Sequence, residues 1–292
     1  MSKVHEIITG EIIKQLDKDI VPWRKEFNSI SDFPKNLISN KPYQGINTLL
    51  LMIQEFNSPY WLTFKQVSSL GGKIKKGESH TKVVFWKVLS KENDEGKEKS
   101  FPMCRYYKVW NLEQTENVKL PKHAEPKKII NQDTTPIESC EKIVQNFKDC
   151  PPIIHGKSPK YRPSIDTVEI PYKEDFINMD NYYNVLFHEL SHSTKHLTRL
   201  NREGISYAEE EIIAEISAAF LAAKAGIGGI GTDVFKNGVA YIQNWTQKTP
   251  KEIKAELKNN PRLIVKAASQ AQKASDYIQG INEFNRNAKE AA

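Results

Sequence analysis

The amino-acid sequence predicts an α+β protein built from two domains. The front half mixes amphipathic helical patterns with Val- and aromatic-rich runs typical of strands, whereas the back half contains mainly helical patterns. A polar stretch with several prolines separates the two halves. With 292 residues, of which 39% are hydrophobic, the chain is long enough to bury two cores. We expect one domain at 1–125, a linker at 126–139 and a second domain at 140–292.

Two helices and two strands are predicted in the front half. Apolar residues recur at helical spacing in 5–16, and the apolar run 46–56 follows a glycine and is also expected to be helical. Residues 82–89 and 105–111 are rich in Val, Phe, Tyr and Trp, and the charged segment between them has the composition of a hairpin loop. Residues 115–139 contain three prolines and little apolar periodicity, which predicts an exposed connection.

The back half is predicted to consist of a short strand, at 166–171, followed by helices. One helix is expected at 181–196 and a second at 208–225, which would end at Gly226, a residue type common at helix C-termini. Three further amphipathic segments complete the chain, at 239–248, 250–259 and 263–278.

The positive charge of the chain is concentrated in its front half. Residues 1–125 carry 20 Lys and Arg against 15 Asp and Glu, whereas 126–292 carry 22 against 21. A basic domain favours a polyanionic partner such as nucleic acid, and a solvated lysine-rich surface is the alternative.

Composition also bears on where the protein acts. Its cysteines, Cys104, Cys140 and Cys150, match neither a metal knuckle nor a disulfide framework, so we expect buried thiols in a reducing environment. Charges interrupt the apolar runs near the N-terminus, and no apolar run approaches the roughly 18 residues of a transmembrane helix. These features predict a cytoplasmic protein without a membrane partner.

The strongest functional motif is His188-Glu189-Leu190-Ser191-His192. On a helix, two histidines four residues apart face the same side and can bind one zinc ion, while the glutamate between them is placed to act as a general base. This arrangement is typical of metallopeptidases. Two surface histidines on an ordinary helix are the alternative, but the apolar residues around the motif indicate a buried helix.

A catalytic zinc site needs a third protein ligand, and the acidic run on the next predicted helix supplies candidates. Glu211 is the predicted ligand. Glu215, one turn later on the same helix face, is expected behind the ligands, where it can accept the outer N–H of a ligating histidine. Glu209 and Glu210 lie in the first turn of this helix, where the helix dipole alone favours carboxylates.

Four other residues near the motif are weighed as site residues. His196 is disfavoured as a ligand, because it lies about 6 Å further along the same helix than His192. Tyr182, Tyr183 and Tyr207 are candidates to stabilise a tetrahedral oxyanion, with packing as the alternative.

The front half carries the residue types of single-stranded nucleic-acid binders, which combine cations with aromatic faces on which bases stack. Aromatic and basic residues are interleaved in several short segments. The alternative for Trp61 and Trp86 is a place in the core of a small domain. The candidate DNA-binding residues are Trp23, Arg24, Lys25, Trp61, Phe64, Lys65, Lys73, Lys75, Lys76 and Trp86.

Motifs in both halves resemble those of the ArdC-type antirestriction proteins of conjugative plasmids and phages. The front half contains VPWRKEF, KPYQGINTLLL, YWLTFKQVSSLGGKIKKGE and YYKVWNLEQ, which are similar to the single-stranded-DNA-binding domain of that family. The back half contains YYNVLFHELSHSTKHLTRLNR and YAEEEIIAEISAAFL, which are similar to its zincin-like metallopeptidase domain. The resemblance covers nearly the whole chain.

The resemblance implies an N-terminal α+β nucleic-acid-binding domain followed by a mostly helical zincin-like metallopeptidase domain. It implies a protein that binds single-stranded DNA and protects incoming plasmid or phage DNA from host restriction. It also implies a metal site at His188, His192 and Glu211, with Glu189 as the base. Zn²⁺ is the expected metal, although Mn²⁺ and Co²⁺ suit the same donors. The expected partners are single-stranded DNA and a host protein as the peptidase substrate.

Two functional hypotheses follow. In the first, a DNA-binding module and an active metallopeptidase site act in one protein. In the second, the protein shields single-stranded DNA and its metal site is structural and not catalytic. Glu189 discriminates between them, because a structural site has no use for a base beside the metal.

Overall fold

The computed structural model describes residues 3–18, 33–54, 56–92, 98–125, 135–202, 204–228 and 250–281, and for 86–92, 98–103 and 250–252 it describes the backbone alone. Within these ranges, the front part of the chain contains a four-stranded sheet with helices, and the back part is mostly helical around a smaller sheet. This architecture confirms the predicted α+β fold class.

The front sheet is organised by a long antiparallel hairpin. Strand β4 (Thr81–Glu92) is at the edge of the sheet, where the side chain of Asn47 hydrogen-bonds with both backbone groups of Val84. An edge covered in this way is protected from pairing with another chain. The hairpin confirms the two predicted strands and extends beyond their predicted ends. In spatial order the strands are β1 (Lys35–Asn36), β2 (Tyr60–Thr63), β5 (Glu98–Asn111) and β4 (Thr81–Glu92).

Among the described residues, three helices accompany this sheet: α1 (Lys3–Leu16), α2 (Ile46–Met52) and α3 (Phe64–Ser69). Helix α1 agrees with the prediction. Helix α2 is shorter than the predicted segment 46–56, because the apolar residues at the end of that segment pack into the core without being helical. Helix α3 begins with a capping box between Thr63 and Gln66.

The predicted connection 115–139 is structured at both ends. Residues Thr115–Glu116 form strand β6, which pairs with β3 (Lys73–Ile74), and Val118 packs against a buried cluster of the front part. At the other end, helix α4 (Pro136–Asn146) begins inside the predicted linker 126–139.

Local capping explains the early start of α4. Thr135 and Glu138 form a capping box, and Pro136 occupies the first helical position. These signals are present in the sequence but are outweighed there by the polar composition of the stretch. Residues 126–134 lie outside the described residues.

Two long helices organise the back part. Helix α5 (Met179–Ser193) carries the HExxH motif, and α6 (Tyr207–Ala225) carries the acidic run. Asn178 caps the start of α5 and Ser206 that of α6, each through a side-chain oxygen that accepts a backbone N–H. Helix α6 ends at Gly226, whose φ of 77° favours glycine. Helix α5 ends three residues before the predicted end at 196.

A three-stranded sheet and two C-terminal helices pack with this pair. The central strand of the sheet is β9 (Thr167–Ile170), in which all residues are buried, and it is flanked by β7 (Ile153–His155) and β8 (Lys160–Arg162). Helices α7 (Pro250–Asn259) and α8 (Leu263–Ile278) agree with the predicted helices at 250–259 and 263–278. The helix predicted at 239–248 lies outside the described residues.

Among the described residues, the largest hydrophobic core joins the front and back parts. It contains Ile8 and Ile12 of α1 together with residues of α2, α7 and α8, and it includes Ile213 and Phe220 of α6. A second core lies between α4, α5, β9 and another face of α6, around Leu221. Helix α6 therefore packs against the HExxH helix on one face, and its other face belongs to the core that α8 shares with α1 and α2.

We expect Ile12→Ala to destabilise both parts of the chain. Ile12 is fully buried in the shared core, and the truncation should lower the free energy of unfolding by about 2–5 kcal/mol. Denaturant unfolding measures this loss, and hydrogen exchange of the α6 backbone amides shows whether it reaches the back part. Ile38→Ala, at an exposed site, should change the free energy of unfolding by less than about 0.5 kcal/mol. Unchanged exchange in α6 would contradict a shared core.

Candidate metal centre and nucleic-acid face

Helices α5 and α6 bring three candidate ligands together. His188 and His192 lie one turn apart on α5, and Glu211 faces them from α6. The Nε2 atoms of the two histidines are 3.0 Å apart. His188 Nε2 lies 3.5 Å from Glu211 Oε2, and His192 Nε2 lies 3.5 Å from Glu211 Oε1.

These separations fit the spacing of ligand atoms around one metal ion. In a tetrahedral site with bonds of about 2.0–2.1 Å, neighbouring ligand atoms are about 3.3 Å apart. The triangle observed here has edges of 3.0 to 3.5 Å. The side chain of His188 is 5% exposed, that of His192 12% and that of Glu211 18%, so solvent reaches the triangle at His192 and Glu211.

The electrostatics of the triangle favour a bound cation. Burial raises the pKa of Glu211, but hydrogen bonds with His188 and His192 outweigh burial and hold the pKa well below its usual range. Burial lowers the pKa of His192, but contacts with Glu210 and Glu211 outweigh it and raise the pKa to about 10. The surrounding carboxylates therefore create a negative field at the imidazoles, which attracts a proton or a metal ion.

Glu189 is buried beside the two histidines, and its burial raises the pKa of its carboxyl group. The backbone N–H of Tyr161, on β8, donates to this carboxylate. Among the described residues, Oε1 of Glu189 has no hydrogen-bond partner. A buried carboxylate oxygen without a partner is costly, and this arrangement is expected of a group whose partner is a bound molecule.

The outer nitrogen of His192 contacts a residue that the sequence did not predict. Its Nδ1 lies 3.3 Å from Oε1 of Glu210, which also pairs with Arg202. Glu210 therefore takes, toward this histidine, the place that was expected for Glu215. Glu215 is buried in α6, and its role toward the ligands stays a prediction. The helix dipole explained a carboxylate at Glu210 without predicting its contact with His192, because that contact is made to a different helix.

Tyr207 is the predicted oxyanion candidate that lies at the site. It is 77% exposed and hydrogen-bonds with Glu211. Tyr182 and Tyr183 are buried in the second core, and the hydroxyl of Tyr183 donates to Glu141, so both take the packing role. His196 contacts the hydroxyl of Thr198 and is not part of the triangle.

The structure removes Trp61 from the candidate DNA-binding residues. Its side chain is 2% exposed and packs with Leu51, Val83 and Val109, so the alternative, a core tryptophan, applies. Both central residues of β2, Trp61 and Leu62, are buried, so both faces of the strand are covered. Residues 23–25 lie outside the described residues, as does the side chain of Trp86.

The other candidates in the front part lie at the surface. Phe64 is 60% exposed at the start of α3, and Lys65 follows it. Lys73 pairs with Glu116 at 3.1 Å, and Lys75 donates to a backbone carbonyl at 2.7 Å. Lys76 is exposed.

Two aromatic clusters with exposed rings at Phe64, Phe85 and Tyr107 also involve residues that the sequence did not single out as binding residues. The Phe64 cluster joins Phe64, Trp110 and His80, with ring centroids of Trp110 lying 6.5 and 5.7 Å from those of Phe64 and His80. The Phe85 cluster joins Phe85 and Tyr107, whose centroids are 5.8 Å apart, on β4 and β5. Alternation along strand β5 places Tyr107 and Trp110 on opposite faces of the sheet. This alternation is visible in the sequence and could have assigned the two residues to different surfaces.

Comparison with known proteins assigns both parts of the chain. Residues 2–110 match the family model for the N-terminal domain of anti-restriction factor ArdC, and residues 138–270 match the model for zincin-like metallopeptidases. The chain belongs to the ArdC family. The metal-free structure of antirestriction protein ArdC from plasmid R388 has a TM-score of 0.72 and 29% identity, and the match covers 95% of this chain and 97% of that one. The Mn(II)-bound structure of that ArdC protein has a TM-score of 0.71 and 28% identity, and the match covers 97% of this chain and 99% of that one.

Sequence relatives of this ArdC-family chain differ in length. An Escherichia coli protein described as DNA primase TraC is 32% identical over 303 residues, which cover 94% of this chain but 27% of the primase. The uncharacterized protein y4eC of Sinorhizobium fredii is 27% identical over 298 residues, covering 94% of this chain and 91% of the relative. The chain thus spans about a quarter of the length of TraC. Within the described residues, no helix is long and apolar enough to span a membrane.

Proposed function

We propose that this chain is an antirestriction protein that combines a metal-dependent peptidase site with a surface for single-stranded DNA. The observation that carries the proposal is the triangle of His188, His192 and Glu211, with Glu189 beside it. Similarity to the R388 antirestriction protein over 95% of this chain supports the protective role. The peptidase site lies in the back part, and the DNA surface lies in the front part.

His188, His192 and Glu211 would hold the metal ion. Two imidazoles and a carboxylate suit Zn²⁺ and also accept Mn²⁺ or Co²⁺, and a relative of similar fold was solved with Mn(II) bound. When bound, the ion supplies Lewis-acid chemistry and lowers the pKa of water to about 7.

The residues of the chain then perform the proton transfers of peptide hydrolysis. The Oε1 atom of Glu189 accepts a proton from water. The raised pKa of this carboxyl group lets Glu189 keep the proton until the leaving amine takes it. The N–H of Tyr161 keeps the carboxylate in place. Tyr207, exposed next to Glu211, donates from its hydroxyl to the carbonyl oxygen that becomes negative.

Strand β8 offers a way to bind an extended peptide. It lies at the edge of the three-stranded sheet and pairs with β9 on one side. On its other side, the N–H of Tyr161 already faces Glu189. A peptide that lies along this edge would be beside the catalytic base and could donate to the outward carbonyl of Tyr161, whose N–H is already taken by Glu189. This favours an unfolded or extended protein segment, such as one in a host protein, as substrate.

We expect Glu189→Gln to remove peptide hydrolysis and to leave the metal bound. The substitution keeps the size of the side chain and removes the base, which should lower the rate by roughly 10²–10⁴-fold. The measurement compares cleavage of an unfolded polypeptide with the metal content of the same sample. The control is Glu174→Gln, which changes an exposed glutamate of the same part and should leave the rate unchanged.

The same variant separates the two functional hypotheses. If Glu189→Gln protects incoming DNA from restriction as well as the wild type, and neither protein cleaves polypeptide, then the site is structural and the shielding hypothesis replaces the catalytic one. If the variant loses both cleavage and protection while keeping the metal, then protection depends on catalysis.

The Phe64 cluster is the proposed contact for single-stranded DNA. Phe64 offers an exposed ring. The exposed Lys65 follows it in α3, and the exposed Lys108 lies two residues before Trp110 in β5. Among the described residues, the buried indole Nε1–H of Trp110 has no partner. An aromatic platform flanked by cations suits stacked bases and their phosphates. The net positive charge of 1–125 supports the same partner.

We expect Phe64→Ala to weaken binding of single-stranded DNA by about 5- to 150-fold, because stacking of a base contributes about 1–3 kcal/mol. Fluorescence anisotropy of a labelled oligonucleotide with the full chain measures the affinity. Wild-type affinity should fall as salt is raised, since phosphate contacts release counterions. Tyr172→Ala, which removes an exposed aromatic ring from the back part, is the control. Equal affinities for Phe64→Ala and the wild type would exclude this contact.

A further inference from the structure

We propose that Arg202 and Glu210 form a clamp that positions His192 for metal binding, so that Arg202 is a positioning residue of the metal site that acts through Glu210. This inference rests on the metal site proposed above. It adds a requirement for metal binding that lies outside the three ligands and the catalytic base.

Arg202 joins the end of α5 to the start of α6. Its Nη2 donates to Oε1 of Glu210 at 2.7 Å, and its Nε donates to Oε2 at 3.2 Å. Toward α5, Nη1 donates to Oγ1 of Thr194 at 2.6 Å, and Nη2 donates to the carbonyl of Ser191 at 3.2 Å. The side chains of Arg202 and Glu210 are both 4% exposed. A guanidinium group bound on both sides in this way fixes two helices in one relative position.

Glu210 passes this constraint to His192. Its Oε1 accepts from Arg202 and also lies 3.3 Å from Nδ1 of His192. The other ring nitrogen, Nε2, faces His188 and Glu211. A carboxylate at Nδ1 keeps the proton on that nitrogen, which leaves the lone pair of Nε2 available to an ion.

A buried ion pair is a poor device for stability alone. Removing both charges from water is costly, and well-packed apolar residues often replace such a pair without loss of stability. Here Glu210 contacts one candidate ligand, His192, and is followed in α6 by another, Glu211. Positioning of the ligands accounts for a charged pair at a place where apolar packing would join the helices equally well.

The same connection between α5 and α6 contains a matched control. Arg199 is also buried, with a side chain that is 3% exposed, and it pairs with Asp166 through hydrogen bonds of 2.7 and 2.9 Å. It also donates to the carbonyls of Ser193 and Asp149. None of these partners is a candidate ligand. Arg199→Lys therefore removes a buried arginine fork without removing the contact to His192.

The test measures Co²⁺ binding to the full chain by visible absorption and by competition with a chelator. We expect Arg202→Lys and Glu210→Ala to weaken Co²⁺ binding by about 10- to 100-fold and to alter the absorption bands. Glu210→Gln should lose less, because it keeps an acceptor oxygen toward His192. Arg199→Lys should lower the unfolding temperature and bind Co²⁺ as the wild type does.

Wild-type affinity and absorption bands in both Arg202→Lys and Glu210→Ala would overturn the clamp. An equal loss of affinity in Arg199→Lys would also overturn it, because the connection as a whole would then be responsible. If Arg202→Lys does not fold, the near-isosteric Glu210→Gln decides alone, and wild-type behaviour there is the contrary result. A wild-type chain that binds no Co²⁺ contradicts the proposed metal site itself, which is a different outcome.

Discussion

The structure depends on how buried carboxylates are compensated where α5 meets α6. Glu189, Glu210 and Glu211 lie close to the two histidines, and each is buried or nearly so. Burying a charge in a protein interior is costly unless a partner of opposite charge is present. Arg202 compensates Glu210, and the negative field that remains falls on the imidazoles. The same field that raises the pKa of His192 would favour a divalent cation at the proposed site.

This compensation works only because α6 is held on more than one face. The HExxH helix packs against one face, and another face belongs to the core that α8 shares with the first two helices of the chain. The front part therefore contributes to the position of Glu211, although it supplies no ligand. Although the front and back parts match separate family models, this shared core makes them one packed unit among the described residues. Strain at one half is expected to reach the other through α6.

Local patterns predicted the elements that carry the site, and non-local contacts decided the rest. The HExxH spacing and the apolar stripe around it placed His188 and His192 on one helix face, and the acidic run placed Glu211 opposite them. Arg202 and Glu210 were missed because their partner is a different helix, which no spacing rule along the chain reveals.

Trp61 was misassigned because an aromatic residue beside cations has the same local sequence in a binding surface and in a core. Trp61 lies within strand β2 and is buried, whereas Phe64 begins helix α3 and is exposed. The packing of α1 against the C-terminal helices α7 and α8 joins residues about 250 positions apart, and composition alone suggested two separate cores instead.

The most direct test of this account is the amount of divalent metal bound by the purified chain, compared between the wild type and Glu211→Ala. The measurement is elemental analysis after dialysis against Zn²⁺ and removal of free ion. The account predicts one ion per chain in the wild type and loss of that ion in Glu211→Ala, in a variant that still unfolds cooperatively. A wild-type chain without bound metal, or a Glu211→Ala variant that keeps its ion with unchanged affinity, would contradict it.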